Sequence, residues 1–169
     1  MGALLDLRAL RLRSGEQYRD AHDVPLQPFQ LGRQAYLPVP ETVIAEVVVT
    51  QAASGRLFEL RFPARLHGPC FRCLEDAVLD MEIRAREYQA SKPDADELRS
   101  PYVVDERLDL TRWARDALAL KLPEQILCRP DCAGLCPVCG RNLNDHPHEH
   151  ETKAPDPRWS ALEELRERL

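Results

Sequence analysis

Residues 56–88 read RLFELRFPARLHGPCFRCLEDAVLDMEIRAREY, and this stretch decides the fold. Apolar residues alternate with charged ones before its cysteine pair, and the apolar face consists of Phe58, Leu60, Phe62, Ala64 and Leu66. After the pair, the alternation resumes with Leu79, Met81, Ile83 and Ala85. Alternation with a period of two is typical of half-buried strands. The sequence therefore predicts two long strands joined by a turn that carries Cys70 and Cys73.

Neighbouring segments extend this hairpin. A β-branched run at residues 43–50 predicts a strand, and residues 52–55 predict the turn that follows it. Asp109 is suited to cap a helix that reaches about Lys121. The apolar face of that helix holds Leu110, Trp113, Ala114, Ala117 and Leu118. Residues 102–104 predict a further short strand.

The two ends of the chain and one internal loop give weaker patterns. Residues 4–12 predict a first strand, and prolines punctuate a mostly irregular stretch up to residue 40. Residues 89–101 are polar and acidic, which predicts a mobile loop. Asp156 and Pro157 begin a second predicted helix, with an apolar stripe of Trp159, Leu162, Leu165 and Leu169.

These elements predict an α+β fold: an antiparallel β-sheet or partial barrel with one or two packed helices and a zinc-organised C-terminal segment. Residues 1–123 form the predicted β-rich core, with the cysteine pair at a hairpin tip and one helix. Residues 124–169 form a cysteine- and histidine-rich metal-binding segment with the C-terminal helix, within the same folding unit. Residues 124–150 hold few apolar side chains, and such short segments seldom fold without a staple.

The composition excludes several classes of protein. The chain is 44% hydrophobic and 30% charged, as is usual for a soluble globular protein. Its net charge of -5 argues against general attraction to nucleic acid, so any RNA contact needs a local patch. No apolar run approaches the length of a membrane span, and the N-terminus lacks the apolar core of a signal peptide. We therefore expect a cytoplasmic protein without a membrane partner.

The six cysteines form three tight pairs, and two histidines follow them: Cys70, Cys73, Cys128, Cys132, Cys136, Cys139, His148 and His150. In a reducing cytoplasm, such pairs indicate metal ligands before they indicate disulfides. Eight ligands complete two tetrahedral sets, which predicts two structural zinc ions. The segment Cys136-Pro-Val-Cys139-Gly140 is a specific knuckle signal, because glycine relaxes the tight turn. The first pair carries Leu74 at the position of that glycine.

The eight predicted ligands can be divided between the two ions in two ways. The favoured division places Cys70, Cys73, Cys128 and Cys132 on one ion and leaves the other four residues for a local second site. The rival division joins the first pair to Cys136 and Cys139. His146 is an alternative ligand to His148 or His150. Unliganded cysteines, redox-active disulfides within the pairs and a histidine-rich polar tail are the plainer interpretations, of which the tail carries the most weight.

The sequence shows no catalytic motif, and closed four-ligand thiolate sites leave no open position for substrate. We therefore expect no enzyme activity. Six arginines lie on or beside the predicted strands: Arg56, Arg61, Arg65, Arg72, Arg84 and Arg86. Phosphate contact by these arginines is one interpretation. Acidic residues are interleaved with them, so a mixed solvated face is the favoured one.

Several motifs together resemble the bacterial YceD family of large ribosomal RNA subunit accumulation proteins. They are Cys70-Phe-Arg-Cys73-Leu74-Glu75, Leu108-Asp109-Leu110, Leu120-Lys-Leu-Pro123, Cys128-x3-Cys132, Gly134-Leu-Cys-Pro-Val-Cys-Gly140, Asn142-Leu-Asn144 and Asp156-Pro-Arg158. The family commonly ends the metal region in Cys-x-Cys, where this chain has His148-Glu149-His150. Since histidine replaces cysteine on zinc, this departure supports a ligand role for both histidines.

The resemblance implies a role in accumulation of 23S rRNA and in biogenesis of the large ribosomal subunit. The expected partners are 23S rRNA or pre-50S particles, bound directly or through a protein, together with a large-subunit ribosomal protein. Two other functions stay open from the residues. One is a protein–protein adaptor for a ribosomal protein or an RNase. The other is a rubredoxin-like iron redox protein, because the second knuckle also resembles an iron-binding one.

Overall fold

The computed structural model describes residues 2–92 and 98–150. It contains nine strands and one helix within those ranges. The strands are β1 (Leu4–Asp6), β2 (Gln17–Pro25), β3 (Phe29–Leu31), β4 (Gln34–Pro38), β5 (Thr42–Gln51), β6 (Gly55–Pro69), β7 (Asp76–Ala90), β8 (Val103–Val104) and β9 (Arg107–Asp109), and the helix is α1 (Leu110–Lys121). The predicted helix after Asp156 lies outside the described residues. Contacts divide the chain into two compact units, the first ending at Cys132 and the second beginning at Ala133.

The long strand β6 organises the main sheet. Along one side β7 pairs antiparallel with it over its whole length, from Gly55 opposite Ala90 to Pro69 opposite Asp76. Its other side carries β5 along the first half and β4 near the end. Strand β2 pairs with β5, and β3 pairs with β4. The sheet follows the open order β2-β5-β6-β4-β3 with β7 beside β6, so it does not close into a barrel.

The alternating pattern of residues 56–88 places the core as the sequence predicts. Phe58, Leu60, Phe62 and Leu66 of β6 are each almost fully buried on one face. Ile83 of β7 pairs with Phe62 and is buried on the same face of the sheet. The expected antiparallel sheet with a helix is therefore confirmed. Burial of these large apolar side chains supplies the main driving force for folding of this unit.

Helix α1 begins where the sequence predicts. The carboxylate of Asp109 accepts a hydrogen bond from the Arg112 N–H at 3.0 Å, which satisfies one of the free amides of the first turn. Leu110, Trp113, Ala114 and Leu118 are buried, and the helix contacts β1, β2 and β7. Within the described residues, no helix is both long enough and apolar enough to cross a membrane.

The prediction of a mostly irregular stretch before residue 40 is wrong. The first strand ends at Asp6 rather than Leu12, and three more strands follow before Pro38. Strand β2 is a polar edge strand in which only Val24 is fully buried, so it shows no apolar alternation. Its single proline, Pro25, is its last residue, a position at which an edge strand tolerates proline. Pairing with β5, rather than local pattern, makes it a strand.

Two smaller predictions near the internal loop also need correction. Strand β7 continues to Ala90, beyond the expected loop start at residue 89, and residues 93–97 of that loop lie outside the described ranges. The short strand expected at residues 102–104 is present as β8. Strand β9, which lies between β1 and β8 in a three-stranded sheet, was not predicted from the sequence.

Candidate metal centres

The first cysteine pair lies in the turn between β6 and β7, as the sequence predicts. Two backbone hydrogen bonds close this turn. The Cys70 N–H donates to the Glu75 carbonyl at 2.7 Å, and the Leu74 N–H donates to the Cys70 carbonyl at 3.0 Å. Leu74 has a φ of 64°, in the left-handed region that leucine rarely adopts. The turn aims both thiols in one direction and leaves the Leu74 side chain exposed.

Four thiols meet at this turn: those of Cys70, Cys73, Cys128 and Cys132. All four sulfurs lie within 4.8 Å of one another. The Sγ atoms of Cys70 and Cys132 are 3.8 Å apart, and those of Cys73 and Cys128 are 3.6 Å apart. A tetrahedral zinc ion bound at about 2.3 Å would hold its sulfurs about 3.8 Å apart. The four donors therefore fit zinc in both chemistry and spacing.

Contacts outside the sulfurs fix the segment that carries Cys128 and Cys132. The Phe71 N–H donates to the carbonyl of Ile126, a residue that is itself buried, at 2.8 Å. The Arg72 guanidinium donates to the Cys132 carbonyl at 3.0 Å. Both donors belong to the hairpin turn, so the turn holds this later segment through its backbone as well as through the thiols. Sequence reasoning missed this role of Arg72, for which the position between two ligand cysteines was the available signal.

The first group combines one acidic thiol with thiols that burial makes less acidic. Burial raises the pKa of the Cys70 thiol, but hydrogen bonds from the backbone N–H groups of Cys73, Cys128 and Arg72 outweigh it and lower that pKa to about 6. Burial raises the pKa of Cys73 to about 12, and neighbouring thiols add to this effect. Burial also raises the pKa of Cys128. Negative charge in this cluster is thus concentrated on Cys70 unless a metal ion compensates the others.

The second unit contains a turn of the same design. The Cys136 N–H donates to the Arg141 carbonyl at 2.8 Å, and the Gly140 N–H donates to the Cys136 carbonyl at 2.8 Å. Gly140 has a φ of 71° and occupies the position that Leu74 has in the first turn. Leu135 and Asn142 form a bridge that closes the base of the turn. The specific signal Cys-Pro-Val-Cys-Gly therefore forms the knuckle that its spacing predicts.

Two histidine rings complete a second group with Cys136 and Cys139. The Nε2 atom of His148 lies 3.1 Å from the Cys139 Sγ and 3.1 Å from the His150 Nε2. The His148 Nδ1–H donates to the His146 carbonyl at 2.7 Å, which leaves Nε2 free to bind a metal ion. His146, the alternative ligand, thus contributes its carbonyl to this arrangement. Zinc ligands of this mixed type lie about 3.4 Å apart, close to the observed spacing.

The second group also combines an acidic thiol with a basic ring. Hydrogen bonds from the backbone N–H groups of Cys139 and Val138 lower the pKa of Cys136 to about 6. The hydrogen bond to the His146 carbonyl raises the pKa of His148, and Cys136 adds to that effect. Cys139 and His150 are exposed, in contrast to the buried Cys136. This group therefore lies nearer the solvent than the first.

Comparison with known proteins places this chain among relatives of one family. A family model described as large ribosomal RNA subunit accumulation protein YceD matches residues 58–166, which include both groups. An uncharacterised protein of Mycobacterium tuberculosis (strain H37Rv) is 32% identical over 169 residues, covering 95% of this chain and 80% of the relative. The uncharacterised protein YlbN of Bacillus subtilis is 26% identical over 113 residues, covering 64% of each chain.

One relative with a functional name matches over a shorter part of the chain. The chloroplastic large ribosomal RNA subunit accumulation protein YCED homolog 1 of Zea mays is 39% identical over 49 residues, covering 29% of this chain and 16% of that protein. No solved structure matches this chain significantly. The family match covers more than half of the chain. The chain belongs to the YceD family of large ribosomal RNA subunit accumulation proteins.

Proposed function

We propose that this chain is a non-enzymatic factor for accumulation of the large ribosomal RNA subunit. Two zinc ions stabilise it, and it binds 23S rRNA or a pre-50S particle in the cytoplasm. The family description and the named maize relative support the role in ribosomal RNA accumulation. The observation that carries the scaffold part of the proposal is the convergence of eight metal-type donors into two groups of tetrahedral size. Such closed sites stabilise a fold and leave no position for substrate.

The first knuckle offers the RNA contact that this proposal needs. Phe71 lies between Cys70 and Arg72 at the tip of the β6–β7 hairpin, and its side chain is 51% exposed. An exposed aromatic ring stacks on an unpaired base, and a neighbouring guanidinium contacts the phosphate backbone. The tip thus supplies a local RNA contact in a chain whose net charge of -5 opposes general attraction.

The arginines of the strand faces contribute less to this proposal. Arg65 donates to the Asp80 carboxylate at 2.6 Å, and Arg86 donates to the Glu59 carboxylate at 2.8 Å. These pairs neutralise much of the face, as a mixed solvated surface does. We therefore assign the RNA contact to the knuckle tip rather than to the sheet.

Crosslinking in cells, followed by sequencing of the bound RNA, tests this function. We expect enrichment of 23S rRNA with the unchanged chain, and a loss of roughly 5- to 150-fold for Phe71→Ala, as stacking contacts are worth roughly 1–3 kcal/mol. Val104→Ala is the matched control, because Val104 is also an exposed apolar residue but lies away from the cysteine turn. Absence of ribosomal RNA from the crosslinked material contradicts direct binding.

One observation favours a second candidate function, that of a protein-binding adaptor. A groove of about 720 Å³ lies between the Val39–Ile44 segment and strands β6 and β7. Ile44 is 68% exposed at its rim, and Pro63 and Met81 line it. Apolar grooves of this kind accept protein segments. Co-purification of a ribosomal protein or RNase that Ile44→Asp abolishes, without any RNA crosslink, supports the adaptor instead.

A further inference from the structure

Strand β7 has a free edge in the part of the chain that the structure describes. It pairs with β6 from Asp76 to Ala90, and no other described strand pairs with it. Cys70 and Glu75 lie opposite each other one position beyond this ladder, and the Cys70 N–H donates to the Glu75 carbonyl. Hydrogen-bonded pairs alternate along antiparallel strands, so the odd-numbered residues of β7 direct their backbone groups to β6. Successive residues of an antiparallel strand bond to opposite sides. The even-numbered residues of β7 therefore present their N–H and C=O groups to the free edge.

The charges along this edge follow a definite order. The even-numbered side chains from Asp76 to Tyr88 are exposed, and four successive ones run acid, acid, base, base: Asp80, Glu82, Arg84 and Arg86. Ile83 is the middle residue of the 15-residue strand, and the charge order reverses in sign about it. A strand with this property is complementary to itself when a second copy runs antiparallel to it, because charges of opposite sign then lie across from each other.

We propose that β7 pairs antiparallel with β7 of a second copy of this chain, across a two-fold axis at Ile83. In this register Glu82 lies opposite the partner's Arg84, and Asp80 lies opposite the partner's Arg86. The two strands overlap over their whole length, since Asp76 then lies opposite the partner's Ala90. Glu82 and Arg84 are both even-numbered, so the backbone groups that each directs to the free edge form the hydrogen-bonded pairs of the new ladder. The proposal depends on neither metal nor RNA.

A pair of opposed arginines in β6 and β7 also supports this pairing. Arg84 lies directly opposite Arg61 of β6, and neither guanidinium forms an ion pair within the described ranges. Like charges opposite each other in a sheet are destabilising. The partner's Glu82 would lie on the other side of Arg84 and compensate this repulsion. Asp80 and Arg86 already have partners within the sheet, so the Glu82–Arg84 pairs determine the register.

The free edge also adjoins a cleft of mixed polarity. This cleft of about 350 Å³ lies between β7 and α1, and both apolar residues (Ile83, Ala85, Tyr102, Leu120) and charged ones (Arg84, Arg86, Glu87, Lys121) line it. Leu120 is 89% exposed. In the β7 strand of the partner copy, the odd-numbered side chains lie on the face opposite the charged ones and would point towards this cleft. The odd-numbered residues Met81, Ile83 and Ala85 of the partner copy are apolar, so the same register that matches the charges also buries apolar surface.

Charge reversal tests the proposal by sedimentation analysis of the full chain. We expect the unchanged chain to sediment as a dimer whose dissociation increases with salt. Glu82→Arg alone and Arg84→Glu alone each place like charges opposite one another twice, so each variant is expected to be monomeric. An equimolar mixture of these two variants restores opposite charges at both positions, and we expect it to form a heterodimer. The double variant Glu82→Arg/Arg84→Glu restores the homodimer.

The mixture distinguishes lost association from lost folding, because a misfolded single variant does not recover when its complement is added. A monomeric unchanged chain at all accessible concentrations overturns the proposal. Dimers that persist unaltered in both single variants also overturn it, since they would form through another surface. Failure of the two single variants to associate in the mixture contradicts the proposed register in the same way.

Discussion

Leu74 and Gly140 occupy equivalent positions in two turns that share one hydrogen-bonding pattern. Each residue follows the second cysteine of its turn, and their φ angles are 64° and 71°. Each donates its N–H to the carbonyl of the first cysteine, at 3.0 Å and 2.8 Å respectively. Glycine adopts this conformation freely, whereas leucine does so against the steric preference of its Cβ atom. The first turn is therefore strained at Leu74, and the second is not.

Leu74→Gly is expected to raise the free energy of unfolding by about 1 kcal/mol, because the left-handed conformation costs leucine about 1–2 kcal/mol and glycine's greater chain entropy offsets part of the gain. Leu74 is 58% exposed, so little burial is lost. Urea denaturation measures the change. The reverse control, Gly140→Leu, is expected to destabilise its turn. A less stable Leu74→Gly variant would show that the side chain matters more than the strain.

Removal of metal ligands is expected to affect the two units differently. Cys70→Ser and Cys73→Ser alter a buried group that joins the hairpin tip to residues 128–132, so we expect a loss of about 4 kcal/mol or more. His150→Ala alters an exposed ligand of the second group, and we expect about 1 kcal/mol or less for the first unit. Metal analysis should give two zinc ions per chain before mutation. Equal thermal losses from both kinds of change contradict two separate sites.

Gly68 allows a close approach between β4 and β6. A Cβ atom at this position would lie 2.3 Å from Cδ1 of Tyr36, whose ring is buried and whose hydroxyl donates to the Pro69 carbonyl at 2.8 Å. Gly68→Ala is therefore expected to cost about 2–3 kcal/mol by overpacking. Gly2→Ala is the control, because its Cβ would meet Thr111 at an ordinary 3.5 Å. A Gly68→Ala variant as stable as the control would mean that Tyr36 moves without cost.

The ion pair of Arg65 and Asp80 predicts a dependence on pH. The hydrogen bond from Arg65 lowers the pKa of Asp80 below its ordinary value of 3.8. Since the folded pKa is depressed, the pair's stabilisation is present above pH 3.8 and is lost as the pH falls through the lower folded value. Both side chains are exposed, so salt should weaken the effect. Carboxyl titration by NMR should show the Asp80 pKa rising in Arg65→Gln, and an unchanged pKa would exclude this cause.

Local pattern was sufficient for the strongest elements of this fold. Alternation from Phe58 to Leu66 and from Leu79 to Ala85 predicts β6 and β7, because each strand buries one face and exposes the other. The Asp109 cap and the apolar face of α1 were equally readable. The pattern failed before residue 40, where β2 exposes most of its side chains and is held by backbone pairing with β5. Such pairing leaves no signature in the strand's own residues.

By itself the sequence determined the cysteine turns, the central hairpin and the helix, because these depend on neighbours within a few residues. Only the tertiary structure decided what meets across long separations. Cys70 and Cys132 lie 62 positions apart in the chain, yet their sulfurs are 3.8 Å apart because Phe71 and Arg72 hold the later segment by its backbone carbonyls. The tertiary structure also decided that Leu74 adopts a left-handed conformation usual for glycine, in a turn that is closed by hydrogen bonds from the N–H groups of Cys70 and Leu74.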